Sequence, residues 1–260
     1  DLVMAGLVGA PLPLSARVAV VTGAARGIGR AAAHRLASEG ARVAFLDVDG
    51  EAVRAAAAAM TRGALAVSAH TVDVADELSV AEALRTVLAA EGRIDILVNN
   101  AGIYPHAPLE ELTFAEWRRV LSINLDGVFL VTRAVYPHMR ERNFGRIVNI
   151  STAAFHIGYP ELTAYLASKG GIIGFTRSLA AEAGPCGVTV NAITPGMIET
   201  EGTREEDPDG ELFDEIGAGQ AVKRRGRPED IAEAIAYLAG PAAGFITGQT
   251  INVDGGHRMH

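Results

Sequence analysis

Seven short apolar or β-branched runs punctuate the chain, at Arg17–Thr22, Arg42–Asp47, Ala66–Thr71, Ile94–Asn99, Arg146–Ser151, Val188–Ile193 and Gln249–Val253. Most are continuous rather than alternating, the pattern of strands buried on both faces. Between them lie Ala-rich stretches with helical spacing, near Gly29–Gly40, Gly50–Arg62, Asp76–Glu91, Thr113–Arg142, Thr163–Ala183 and Pro228–Ala239. Strands that alternate with helices predict a parallel sheet covered on both sides. Right-handed crossovers then give an α/β fold: one doubly wound, Rossmann-type domain over residues 14–260 with a seven-stranded parallel sheet. Residues 1–13 read as an N-terminal extension. Residues 195–227 break the rhythm with Gly, Pro and acids and no strand. A loop of that length in a compact domain predicts a lid on the substrate side; the alternative is a solvated insertion without a role.

Composition narrows the function. Of 260 residues, 49% are hydrophobic and 21% charged, which argues for a packed core and against disorder. The net charge of −8 has one source. Nine acids and one base, Arg204, lie between Glu199 and Glu215, and the rest of the chain is balanced. No basic patch is present, so nucleic acid is not an expected partner. No apolar run is long enough for a membrane helix. The apolar start lacks the basic residues of a signal peptide. Cys186 is the single cysteine, which leaves a reducing cytoplasm as the default expectation. No metal site is expected.

The first candidate site is Thr22-Gly23-Ala24-Ala25-Arg26-Gly27-Ile28-Gly29, between a predicted strand and helix. Glycines let backbone approach a pyrophosphate, and a helix N-terminus offers free N–H groups. The spacing has one residue more than the usual dinucleotide fingerprint. Asp47 ends the second strand. A carboxylate there accepts from both ribose hydroxyls and repels a 2′-phosphate, which favours NAD over NADP. Arg26 points the other way, since a base in the loop could meet that phosphate. Asp47 could instead cap the next helix, a role also open to Asp49.

The second is Tyr165-Leu166-Ala167-Ser168-Lys169. Residues four apart share a helix face. A nearby ammonium stabilises phenolate, so Lys169 is expected to lower the Tyr165 pKa from about 10 and fit it for proton transfer.

With these motifs go Asn99-Asn100-Ala101-Gly102, Asn124, the Arg146–Ser151 run, Asn191, Pro195-Gly196 and Ile246–Gly256. Together they resemble the short-chain dehydrogenase/reductase family over about Leu14 to His257. The resemblance implies a catalytic set of Asn124, Thr152, Tyr165 and Lys169. Tyr165 would move the proton. Lys169 would lower its pKa and hold the nicotinamide ribose. Asn124 would kink its helix and hold a water. The cofactor would meet Gly23, Arg26, Gly27, Ile28, Gly29, Asp47 and Val48. It would also meet Asp73 and Val74 at the adenine, Asn100, Ala101 and Gly102 near the ribose, Pro195-Gly196, and Ile198 through its backbone. Where the family usually has a serine, 13 residues before the tyrosine, this chain has Thr152. Its hydroxyl can make the same hydrogen bond; Ser151 is the less favoured choice.

Substrate-pocket candidates are Ala154, His156, Tyr159 and Met197, with Tyr104, His106 and Phe213 behind them. The acidic lid would repel an anionic substrate. Asn143 and Cys186 stand where related 3-oxoacyl reductases carry arginines for carrier docking. The expected function is hydride transfer between NAD and a small neutral secondary alcohol or ketone. Asn99–Pro105 and Phe245–His260 resemble dehydrogenases of cyclic or aromatic alcohols. The rivals are an NADPH-dependent 3-oxoacyl thioester reductase and a nucleotide-binding protein with weakened catalysis. The resemblance also implies a homotetramer or homodimer, with the two longest helices at one interface.

Overall fold

The strands send alternate side chains into two separate cores. In the computed structural model, which describes residues 12–63 and 65–259, seven strands form one sheet: Val18–Thr22 (β1), Arg42–Asp47 (β2), Val67–Thr71 (β3), Ile96–Asn99 (β4), Gly145–Ile150 (β5), Val188–Pro195 (β6) and Thr250–Val253 (β7). Residues 1–11 of the expected N-terminal extension lie outside the described residues. The sheet is parallel throughout, in the order β3-β2-β1-β4-β5-β6-β7. The helices are Gly27–Ser38 (α1), Gly50–Thr61 (α2), Glu77–Glu91 (α3), Phe114–Leu121 (α4), Gly127–Glu141 (α5), Thr163–Ala183 (α6), Glu201–Glu206 (α7), Glu211–Gly219 (α8) and Pro228–Ala239 (α9).

Ala19, Val21, Val43 and Phe45 pack with α1, α2 and α9. Their neighbours Val18, Val20, Ala44 and Leu46 pack with α3, α5 and α6. That two-residue alternation is why the central runs are apolar at every position. Each buried Val, Leu, Ile or Phe contributes roughly 1.5–3 kcal/mol. β3 departs from the pattern. It is an edge strand and only half-buried, as is β7 at the other edge, and Ser68 Oγ lies 3.0 Å from His70 Nε2 along β3.

Local capping sets most helix starts. Asp49 accepts from the N–H groups of Glu51 and Ala52, and Asp76 from those of Leu78 and Ser79. Thr113 and Glu116 form a reciprocal capping box. The stretch expected as one helix over 113–142 contains a single wide π turn, Ser122–Asp126, between α4 and α5. Such turns re-aim one side chain without ending the helix; here the side chain is Asn124. The 195–227 segment also differs from a plain loop. It carries α7 and α8, started by a Thr200–Thr203 capping box and by left-handed Gly210.

Candidate active site

Strand order reverses between β1 and β4. In open parallel sheets the crevice at the carboxyl ends of the strands beside such a point is the natural ligand site. Thr22, Asp47, Asn99, Ile150 and Pro195 end the five strands around it.

The glycine loop is tied down from below. Thr22 Oγ1 accepts from the N–H groups of Asn100 (3.0 Å) and Ala101 (3.1 Å). Asn100 Nδ2 donates to the carbonyls of Thr22 and Gly23, both at 3.1 Å. The Asn100 amide is therefore committed to the loop and fixes it. Gly23 and Gly27 have φ of +64° and +53°, where side chains are strained. A Cβ on Gly29 would collide with the Gly23 carbonyl. The α1 N-cap, Arg26, is extended and makes no side-chain cap. The helix start thus has no acceptor from its own N-cap residue, its glycines leave a cradle that a Cβ would fill, and it fits the pyrophosphate of a dinucleotide.

The other predicted cofactor contacts lie at or just after the carboxyl ends of β2, β3 and β6. Asp47 Oδ2 accepts from Ala25 N–H at 3.0 Å, and Oδ1 from Asp49 N–H at 3.1 Å. Asp49 takes the α2 cap, so the Asp47 carboxylate stays at the loop. Val48 beside it is exposed. Asp73 Oδ1 accepts from Ala75 N–H at 2.9 Å, while Asp76 caps α3. Val74 is buried against Gly127. Gly196 N–H donates to the Val253 carbonyl at 3.0 Å, and its missing side chain lets β6 pass close to Asp254. Ile198 is buried, and its carbonyl accepts from Thr203 Oγ1 at 2.8 Å.

Four side chains gather at the head of α6. The Thr152 hydroxyl faces the Tyr165 phenol, where it favours the phenolate, and it accepts from Ala154 N–H at 3.2 Å. Ser151 turns the other way and donates to the Lys169 carbonyl at 2.9 Å. The separation follows from strand geometry, in which neighbours take opposite faces. Lys169 Nζ donates to the Ile150 carbonyl at 2.8 Å and lies 5.8 Å from the centre of the Tyr165 ring. Asn124 Oδ1 accepts from Ile103 N–H, and its Nδ2 donates to the Ile103 carbonyl, each at 2.8 Å; Nδ2 also donates to Ser168 Oγ at 3.0 Å. The π turn thus presents Asn124 to the Ile103 backbone. A Cβ on Gly102 would lie 3.1 Å from Asn124 Oδ1 and 3.4 Å from Lys169 Nζ, so Gly102 keeps the space between them open.

Burial corrects one expectation. Desolvation pushes the Tyr165 phenol up to about 12, against a lowering contribution from Thr152. The same desolvation brings Lys169 down to about 8. The ammonium was expected to lower the phenol. Loss of water dominates instead, and the lowering contribution comes from Thr152 rather than from Lys169, because both groups are charged only at a cost in this environment. At neutral pH Tyr165 is therefore a protonated acid.

Of the pocket candidates, Ala154 and His156 lie on the short 3-10 turn after Thr152, and the His156 ring meets Phe155 edge-on at 5.4 Å. Tyr159 and Met197 are half-buried. Phe213 is buried under the Arg225 guanidinium. Tyr104 packs edge-on against Tyr165, with ring centres 6.0 Å apart. Two contributors had no role assigned from the sequence. Thr22, the first residue of the glycine motif, knits the loop from beneath. Glu201 on α7 accepts from Gly27 N–H at 3.1 Å and pairs with Arg30.

Comparison with known proteins accords with this geometry. Residues 23–258 match the family model described as Enoyl-(Acyl carrier protein) reductase. A 3-oxoacyl-[acyl-carrier-protein] reductase of Synechocystis is 43% identical, covering 95% of this chain and 98% of the relative. Cis-4-hydroxycyclohexanecarboxylate dehydrogenase of Sinomonas cyclohexanicum is also 43% identical, over 93% and 96%. The crystal structure of levodione reductase superposes with a TM-score of 0.88 at 36% identity, over 94% of this chain and 98% of that one. Among the described residues no helix is long and apolar enough to cross a membrane. The chain belongs to the short-chain dehydrogenase/reductase family, oxidoreductases that act on CH–OH groups with a nicotinamide cofactor.

Proposed function

We propose that the protein interconverts a small, neutral secondary alcohol, cyclic or aromatic, and its ketone with NAD as cofactor. The observation that carries the reading is the Thr152–Tyr165–Lys169 arrangement at the carboxyl end of β5. Nicotinamide, when bound, supplies or accepts the hydride. The Thr152 hydroxyl orients the substrate oxygen. Tyr165 is a protonated phenol and gives its proton to a ketone oxygen, or takes one back in the reverse direction. Lys169 has one N–H on the Ile150 carbonyl and two left to hold the cofactor's ribose and to stabilise the phenolate. Asn124 fixes the Ile103 backbone beside them.

The finer choices rest on charge. Asp47 supports NAD, because its carboxylate stands at the loop where a 2′-phosphate would be repelled. Glu205 and Glu206 supply negative potential at Tyr104, whose ring touches Tyr165. An anionic substrate approaching there is disfavoured. Residues 195–227 act as a lid: α7 lies over Tyr104 through Gly202 and over Gly27 through Thr200. Exposed Phe129 and Phe245 support assembly as a homodimer or homotetramer.

The second reading, an NADPH-linked 3-oxoacyl thioester reductase, is favoured by Arg26 in the glycine loop and by the Synechocystis relative. A panel of secondary alcohols, ketones and 3-oxoacyl thioesters, followed by cofactor absorbance with both nicotinamide cofactors, separates the two. NAD-linked turnover of neutral alcohols is the expected result. NADPH-linked reduction of thioesters alone would replace it with the second reading. Asp47→Ala is expected to shift the NAD/NADP ratio of kcat/KM towards NADP by about tenfold or more, the loss of about 1.4 kcal/mol or more in discrimination. An unchanged ratio would remove Asp47 from the account.

A further inference from the structure

The head of α1 holds a carboxylate. Glu201 Oε2 accepts from Gly27 N–H at 3.1 Å, and Oε1 pairs with the Arg30 guanidinium. The two partners lie on α7 and α1, 174 residues apart for the Gly27 contact. The approach is backed by packing, since a Cβ on Gly27 would lie 3.3 Å from Thr200 Cγ2. The N-cap of α1 provides no side-chain acceptor of its own, so Glu201 supplies the negative charge that this helix start lacks. Ala25, Arg26, Arg30 and Glu201 line one end of a groove of about 1000 Å³ between α1 and α2, so the pair is open to a ligand.

A pyrophosphate held by this glycine loop needs the same groups, a helix-head N–H and a nearby cation. Two anions cannot share them. We infer that Glu201 is an internal surrogate for phosphate: it latches α7 onto the cofactor site, and the dinucleotide's pyrophosphate displaces it. Binding of cofactor and release of this end of the lid are then one exchange. Glu201 competes at the first step of the cycle and helps to close the lid again when the cofactor leaves. Because Tyr104 lies against Gly202 on the same helix, release at Glu201 also loosens the wall beside Tyr165. Cofactor would thereby open the site to substrate.

The inference rests on the dinucleotide reading, and one experiment tells the two apart. Calorimetric titration uses the whole chain with ADP-ribose, which carries the pyrophosphate, and with adenosine, which does not. Glu201→Gln and Glu201→Ala are compared with the unaltered protein. Glu201 and Arg30 side chains are 41% and 46% exposed, so neither substitution disturbs the core. ADP-ribose is expected to bind both variants about two- to fivefold more tightly, the scale of one exposed ion pair. Adenosine affinity is expected to stay the same. Amides of residues 200–206 are expected to exchange faster when ADP-ribose is added to the unaltered protein, and to start fast in Glu201→Gln. Unchanged or weaker ADP-ribose binding by both variants overturns the latch. So does an equal gain for adenosine, which would mean that only bulk was removed. Failure of the unaltered protein to bind ADP-ribose at all overturns the dinucleotide reading and the latch with it.

Discussion

Tyr165→Phe is expected to lower kcat by about a thousandfold while leaving cofactor affinity within about twofold, because the phenol is the one acid placed to move the proton and general acid catalysis contributes about 10²–10⁴. The substitution removes one oxygen and keeps the ring, so the 6.0 Å contact with Tyr104 survives. Thr152 loses the phenol it faces but still accepts from Ala154 N–H. Stability should therefore hardly change, and lost activity cannot be read as lost fold. Steady-state kinetics with a ketone, beside a titration of reduced cofactor, measures both quantities. Retained activity would remove Tyr165 from the proton-transfer step. A parallel fall in cofactor affinity would assign it to binding instead.

Gly29→Ala is expected to abolish measurable cofactor binding and to destabilise the fold by about 1–3 kcal/mol, the range for overpacking at a rigid contact. An added Cβ would overlap the Gly23 carbonyl oxygen and lie 2.6 Å from Asn100 Nδ2 and 2.8 Å from the Gly23 carbonyl carbon. Two of these three atoms are backbone, and the third is pinned by its own hydrogen bonds to Thr22 and Gly23. Relief must come from opening the loop, which is the surface proposed to cradle the pyrophosphate. Gly174→Ala is the control. It sits inside α6 with nothing within 4 Å of its added Cβ, so it should be neutral or stabilising by about 0.5–1 kcal/mol. Denaturant unfolding and ADP-ribose titration of the two variants give the comparison. Equal behaviour of the pair would mean that the close approach at Gly29 is not needed.

The sheet was legible because buried parallel strands leave a continuous apolar run, and helices between them leave a helical period. All seven strands occur where those runs occur, with ends shifted by a residue or two, as at Ile96 and Pro195. The helix expected from Gly29 begins at Gly27, since the loop turns into α1 inside the glycine motif rather than after it. α7 and α8 were not legible. They have 6 and 9 residues, carry mostly acids and glycines, and contribute one fully buried side chain, Phe213. A short helix with so little to bury has no period to read, and its existence depends on caps and on the surface beneath it.

The strand and helix order, the glycine loop, the Tyr165–Lys169 pair on one helix face, and a carboxylate, Asp47, at the end of the second strand could all be read along the chain. Each of these is local, written in residue type and spacing within one turn or one strand. The rest emerged only on packing, which set Thr152 rather than Ser151 against Tyr165, turned the expected fall in the phenol pKa into a rise, presented Asn124 to Ile103, and brought Glu201 to Gly27. Those outcomes depend on which distant surfaces exclude water together and which groups then have no partner but each other. Burial and long-range pairing are properties of the packed chain, and no spacing along it records them.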